Sequence, residues 1–206
     1  MTTVPKPLRP RKTPRQKRSE ETREQILRAA ARVFAEHGYA AGTTNRIAEA
    51  AGLSIGSLYQ YFPNKDAILL LLARRHVDEG RAAVAAAVAA GLPADRRECV
   101  AVLVDTALRA HGGDPRLHQV LFEESPRPPA LLAEIRALQD DLVGLVAGLL
   151  VADGGLGAAN PRLTAWFLVA TAESLTHRYL ADRPTADPRA FRDELIRLLT
   201  GYVEAG

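Results

Sequence analysis

Residues 43–65, TTNRIAEAAGLSIGSLYQYFPNK, read as two short helices joined by a tight turn and followed by the start of a third. Thr43 or Thr44 caps the first helix, because a hydroxyl oxygen there accepts an otherwise unpaired amide proton. Ile47, Ala48 and Ala51 then share one face, and Gly52 stops the helix. Ser54 caps a second helix of barely two turns, 55–61, in which Leu58 faces inward with Phe62 while Ser57 and Gln60 face out. Pro63-Asn64 ends it, and Asn64 caps the next. This is the composition of a helix-turn-helix, whose second helix lies in the DNA major groove. A two-helix corner inside an all-α protein, with Tyr59 and Tyr61 as core aromatics, is the plainer reading of the same spacing.

The residue types suit DNA. Positions 53–62 carry no charge, so the reading helix offers a small approach surface of Ser54, Ile55, Gly56 and Ser57, with Gln60 able to pair with an adenine edge. Affinity must then come from the flanks. Thr43, Thr44, Asn45, Tyr59 and Tyr61 carry polar groups suited to phosphate oxygens, Arg46 adds charge, and Lys65 stands at a helix start where amide protons already favour an anion.

Three pieces within residues 19–72 also resemble a known family. An amphipathic helix ending AEHGY (35–39), then TT..IA..AG (43–52), then S.GSLY.YF.NK.A.L (54–69), together look like the DNA-binding domain of the tetracycline-repressor-like (TetR) transcriptional regulators. The match covers about the first third of the chain. What the resemblance implies for the remainder is a homodimer formed by the last two helices and matched to a palindromic double-stranded operator. It also implies a small-molecule effector bound in the C-terminal domain and repression relieved by that effector.

Composition bounds the alternatives. At 206 residues and 47% hydrophobic, the chain can bury a substantial core as one large or two small domains. No basic segment followed by an apolar stretch opens it, and no apolar run is long enough to span a bilayer, so a soluble protein of the cytoplasm with no membrane partner is expected. The single cysteine, Cys99, excludes an internal disulfide framework and reads as a small buried hydrophobe. Residues 1–18 hold seven Lys or Arg, four Pro and no acid, so the basic excess lies wholly in this tail and the rest of the chain is net acidic. Such a segment is expected to be a disordered arm that clamps the DNA backbone or minor groove, or a solvated tail serving only solubility. Arginine dominance over four lysines, with alanine-rich helices, suggests a bacterium with a GC-rich genome.

Beyond the arm, residues 19–66 form the helix-turn-helix domain and 67–206 the effector and dimerisation domain. Helix one spans 18–37 with Ile26, Ala30, Val33 and Phe34 as its buried stripe, and Gly38 is its stop. A long helix, 66–90, begins Leu-rich and ends in alanines whose small side chains suit close packing on neighbours; its tilt could carry a signal between the domains. Further helices are expected over 95–110, 114–124, 130–151, 163–180 and 191–203, with Asp114, Asn160 and Asp187 as caps before prolines at the first helical turn. No segment alternates with a period of two, so the fold class is all-α with about nine helices. The Gly-rich 153–159 lacks the lysine and preceding strand of a phosphate loop.

Leu117, His118, Leu121, Phe122, Trp166 and His177 are the candidate effector-pocket residues, with ordinary core or interface packing the plainer role for each. Glu173 and His177, four apart, read as a helix-surface pair. The five histidines show no metal-ligand spacing, and no nucleophile elbow or cofactor motif occurs, so neither a metal, a cofactor nor an enzyme activity is expected. An architectural or activating DNA binder without a small ligand is the alternative to a ligand-released repressor.

Overall fold

The computed structural model describes residues 14–152, 160–182 and 187–204, and these are almost wholly helical. The basic arm expected over 1–18 lies outside the described residues up to position 13, but from Pro14 onward the chain is already helix. Nothing between Pro14 and Glu20 breaks a helix, and proline is itself tolerated in a first turn, so α1 runs back to Pro14. Residues 153–159, where a Gly-rich turn is expected, 183–186 and 205–206 also lie outside the described residues.

The chain divides into two compact units, the first ending at Lys65 and the second beginning at Asp66. In the first unit, α1 (Pro14–Ala41), α2 (Thr44–Ala50) and α3 (Ile55–Tyr59) follow the expected pattern. Gly38 interrupts α1 at φ 72°, a left-handed conformation that suits glycine, and the chain resumes as a final helical turn to Ala41. The α1 stripe of Ile26, Ala30, Val33 and Phe34 is buried, as are Ile47, Ala48 and Ala51 around α2 and Leu58 and Phe62 around α3. Gln25 Nε2 donates to the Ala51 carbonyl at 2.6 Å, which satisfies one of the orphan acceptors at the end of α2 and ties it to α1.

The second unit contains α4 (Lys65–Ala89), α5 (Arg96–His111), α6 (Pro115–Gln119), α7 (Pro129–Ala152), α8 (Pro161–Asp182) and α9 (Pro188–Glu204). The cap residues do what their chemistry suggests: Asp95, Asp114, Asn160 and Asp187 each accept the amide proton three residues on. After α6 the helix widens into one π turn, Val120–Glu124, closed by Ser125 N–H donating to the Val120 carbonyl at 3.0 Å. Pro126 holds Ser125 extended, so the segment ends there. A core of Val104, Val143, Leu150, Ala165, Leu168, Leu195, Ile196, Leu199 and Val203 joins α5, α7, α8 and α9. Arg192 on α9 reaches Asp105 on α5 through two hydrogen bonds, 2.5 and 2.8 Å, and Tyr179 stacks on Phe191 at 4.0 Å between α8 and α9.

Two expectations fail here. The alanine-rich end of α4 does not pack closely on neighbours: positions 81–90 are mostly exposed, and alanine's intrinsic helix preference sustains them without a partner. Cys99 is only half-buried, because its side of α5 borders a cavity rather than solid core.

Candidate DNA-reading surface and effector cavity

In the first unit the helix-turn-helix is built by two caps and a left-handed glycine. Thr43 Oγ1 accepts the Arg46 amide proton at 3.3 Å, Ser54 Oγ accepts that of Ser57 at 3.1 Å, and Gly52 turns the chain between them at φ 65°. Capping uses hydroxyl lone pairs, so Thr43 keeps its O–H proton for a phosphate. Ser54 and Ser57 share a further hydrogen bond at 2.8 Å between their hydroxyls. Ser54, Ile55, Gly56, Tyr59 and Gln60 are exposed, with Ser57 and Tyr61 half-buried. Thr43, Asn45 and Arg46 are exposed and Thr44 half-buried at the start of α2. Thr44 and Tyr59 hydroxyls lie 3.3 Å apart, bringing the start of α2 to the end of α3, and Arg46 reaches His37 Nε2 at 3.1 Å.

Lys65 has a task that spacing alone did not reveal. Its Nζ donates to the Tyr39 carbonyl at 2.7 Å and sits 3.9 Å from the centre of the Tyr39 ring, a cation–π contact. The ammonium still has two protons to offer a phosphate, but its first duty is to anchor residue 65 to Tyr39.

The second unit holds a partly open cavity of about 480 Å³ among α4, α5, α6, α7, α8 and α9. Its wall is chiefly aliphatic, from Val84, Leu103, Leu138, Leu142, Leu149 and Val169 among others. One region is polar: His76 (α4), His111 (α5), His118 (α6) and His177 (α8) bring four imidazoles together, with Gln139 and Glu173 beside them. Ring centres lie 5.4 Å apart for His76 and His111, 5.0 Å for His76 and His118, 5.2 Å for His111 and His118, and 4.6 Å for His118 and His177. Phe122 of the π turn packs 4.6 Å from His118.

Burial and mutual proximity lower the basicity of three of these rings. Burial foremost, then the neighbouring His111, pushes His76 down to about 4; burial, then His177, His76 and His111, pushes His118 to about 2; burial, then His111 and His76, pushes His177 to about 4. Burial raises the Glu173 carboxyl, against the hydrogen bond it accepts from Gln139 Nε2 at 2.7 Å.

Of the six residues named for an effector pocket, His118, Phe122 and His177 line this cavity, while Leu117, Leu121 and Trp166 do not. His118 and Phe122 are four apart on one face; Leu117 and Leu121 sit one residue back, about 100° around the helix. Trp166 does share a face of α8 with His177, but eleven residues are roughly 16 Å of helix, and the residue is 53% exposed. Glu173 and His177 are no surface pair, since both border the cavity. His76 and His111 were missed. Their signal was present: each is a ring set in an apolar helical stripe, His76 after Leu69, Leu72 and Ala73, and His111 after Val104 and Leu108.

An exposed helix-turn-helix joined to a larger all-α unit that holds a cavity is the make-up of a DNA-binding regulator. Residues 26–72 match the family model described as bacterial regulatory proteins, tetR family, and residues 95–202 match that of the tetracyclin repressor-like C-terminal domain. The chain belongs to the TetR family of DNA-binding transcriptional regulators. It is 30% identical over 167 residues to the HTH-type transcriptional activator FasR of Mycolicibacterium smegmatis, spanning 80% of this chain and 75% of that one. It is 45% identical over 53 residues to the transcriptional repressor AcnR of Corynebacterium efficiens, 26% of this chain and 28% of that one. The fatty acid degradation regulator FadR of Bacillus halodurans shares the fold with a TM-score of 0.65 at 25% identity, over 93% of this chain and 97% of that one. Among the described residues no helix is long and apolar enough to cross a membrane.

Proposed function

We propose that the protein is a homodimeric transcriptional repressor that leaves a palindromic operator when a small amphipathic molecule fills the cavity of its second unit. The observation that carries this reading is the cavity itself: about 480 Å³, aliphatic over most of its wall and polar at one cluster of side chains. That is the make-up of a site which binds a largely apolar molecule and orients it by one polar group. α4 is the chain's only covalent route from the DNA-reading unit to the cavity, and it contributes His76, Val77, Gly80 and Val84 to the wall. An effector that binds one arrangement of α4 better than another therefore shifts the population of the DNA-reading units. Residues 43–46, 54–57, 59–61 and 65 are the surface offered to DNA.

The test is a gel-shift with DNA upstream of the protein's own gene, with excess random duplex, followed by titration of amphipathic molecules. A discrete two-protomer complex that survives competitor and dissolves on adding one of them supports the reading. Tightening of the complex instead, with raised reporter output, would replace repression by activation, which is what the name of the M. smegmatis relative describes. Erasure by random duplex, with no ligand effect, would favour an architectural binder.

The division of labour on the DNA surface is also measurable. Arg46→Ala should weaken binding to specific and random duplex alike and reduce the salt slope by about one, whereas Gln60→Ala should relax sequence preference with little change in slope. Arg46 is the better probe of phosphate contact than Lys65, because Lys65→Ala also removes the Tyr39 anchor. Equal losses on both duplexes for Arg46→Ala and Gln60→Ala would overturn the assignment.

A further inference from the structure

We infer that His76, His111, His118 and His177 form a binding site for one divalent transition-metal ion of the Zn²⁺, Co²⁺ or Ni²⁺ type, set into the wall of the effector cavity. One ring nitrogen from each of His76, His111 and His118 already lies within 4.8 Å of the others. A tetrahedral ion with nitrogens at 2.0–2.1 Å needs them about 3.4 Å apart, a closure of at most about 1.5 Å that side-chain rotation supplies. His177 is the fourth ligand, its ring centre 4.6 Å from that of His118 and 4.7 Å from that of His111.

The protonation pattern prepares the site. His111 Nδ1 lies 2.8 Å from the Ala107 carbonyl oxygen, which can only accept, so Nδ1 carries the proton and Nε2 presents its lone pair. A carbonyl on the outer nitrogen is the usual way a ligating histidine is oriented and made more basic. His177 Nε2 is buried with no hydrogen-bond partner, an expense that metal ligation would remove. Glu173, half-buried one turn before His177, borders the same part of the cavity. An all-imidazole set suits borderline transition ions and not Mg²⁺ or Ca²⁺, which take oxygen.

The four ligands come from α4, α5, α6 and α8, so the ion would tie α4 to three other helices of the second unit. The regulatory consequence rests on the effector-cavity reading; the binding itself does not. With the ion in place the polar end of the cavity becomes cationic, and an effector carrying an anionic or chelating head is favoured.

The experiment uses the full chain with any affinity tag removed, stripped by chelator and titrated with Co²⁺. The expected result is saturation at one Co²⁺ per chain with the intense visible bands of tetrahedral cobalt, their loss on adding one equivalent of Zn²⁺, and a higher melting temperature with Zn²⁺ but not Mg²⁺. His118→Gln and, on a different helix, His111→Gln should each weaken Co²⁺ binding by at least the roughly 10- to 100-fold that even an outer-shell loss costs. His177→Gln should retain the ion with one open position, seen as a spectral change on adding azide. His37→Gln, in the first unit, should leave Co²⁺ binding unchanged. Absence of stoichiometric binding to the folded wild-type chain overturns the site, as does binding that His118→Gln and His111→Gln both leave intact. Because no DNA or organic ligand enters this titration, a negative result leaves the effector-released repressor standing, and a failed operator assay leaves the metal site standing.

Discussion

Phe34→Ala should abolish operator binding by unfolding the DNA-reading unit. Phe34 is fully buried, and truncating a buried Phe costs about 3–5 kcal/mol. Small domains are only marginally stable, within about 5–15 kcal/mol in general, and a unit of this size lies at the low end. The same ring explains Gly42. A Cβ at Gly42 would stand 2.6 Å from Phe34 Cε1 and 2.8 Å from the Gly38 carbonyl oxygen, closer than real side chains approach. Gly42→Ala therefore has to push the ring out of the core or shift the turn, at the upper end of the roughly 1–3 kcal/mol that overpacking costs. The two effects share one space, so Phe34→Leu combined with Gly42→Ala should be less harmful than the two single changes added together. Urea melts followed by circular dichroism, with gel-shifts alongside, measure all four proteins. A Phe34→Ala chain that melts within 1 kcal/mol of wild type and binds the operator undiminished would refute this account.

The parts of this molecule that were legible in its sequence are those whose causes lie within a few residues. A cap joins positions three apart, so Thr43, Ser54, Asp114, Asn160 and Asp187 could be found by eye and do accept the expected amide protons. Buried stripes recur every three or four residues, which is why Ile26, Phe34, Ile47 and Leu58 were recognisable as core. What escaped is the meeting of distant elements. His76, His111, His118 and His177 come from four helices, and no spacing rule relates them. A search for fixed intervals on one helix could not find a cluster assembled by packing. Trp166 falls outside the cavity for a related reason: a helical face specifies a direction around the axis, but what lies against α8 within one chain changes from nothing at Trp166 to cavity at His177. Lys65 shows the limit at a single residue. Its charge and position suggested a phosphate contact, while its immediate partner is the Tyr39 carbonyl and ring.

The same exposure of Trp166 leads to the second large effect. Among the described residues ten large hydrophobic side chains are exposed, and six of them, Leu163, Trp166, Phe167, Leu175, Leu198 and Tyr202, belong to α8 and α9. Leu163 and Phe167 are one turn apart on α8, Leu198 and Tyr202 one turn apart on α9, and the rings of Phe167 and Tyr202 lie 6.2 Å apart across the two helices. This is one apolar surface with aromatic anchors, the composition of an interface centre and not of a solvated face. On the homodimeric reading proposed above, a two-fold dimer through this surface would bring α8 and α9 of each copy together as four helices, matching a palindromic operator. Trp166→Glu with Phe167→Glu should then yield a monomer by sedimentation, because two like charges per protomer would be buried against their own copies. The fold of the isolated chain should survive, since neither side chain is part of its core. Operator affinity should fall by roughly 10²–10⁴, the advantage lost when a second half-site is no longer bound intramolecularly. Affinity for a single half-site should stay within about threefold of wild type, as the DNA-reading surface is untouched. If the double variant still sediments as a dimer, or the monomer holds the full operator as tightly as wild type, the α8–α9 surface is not what joins the two reading units.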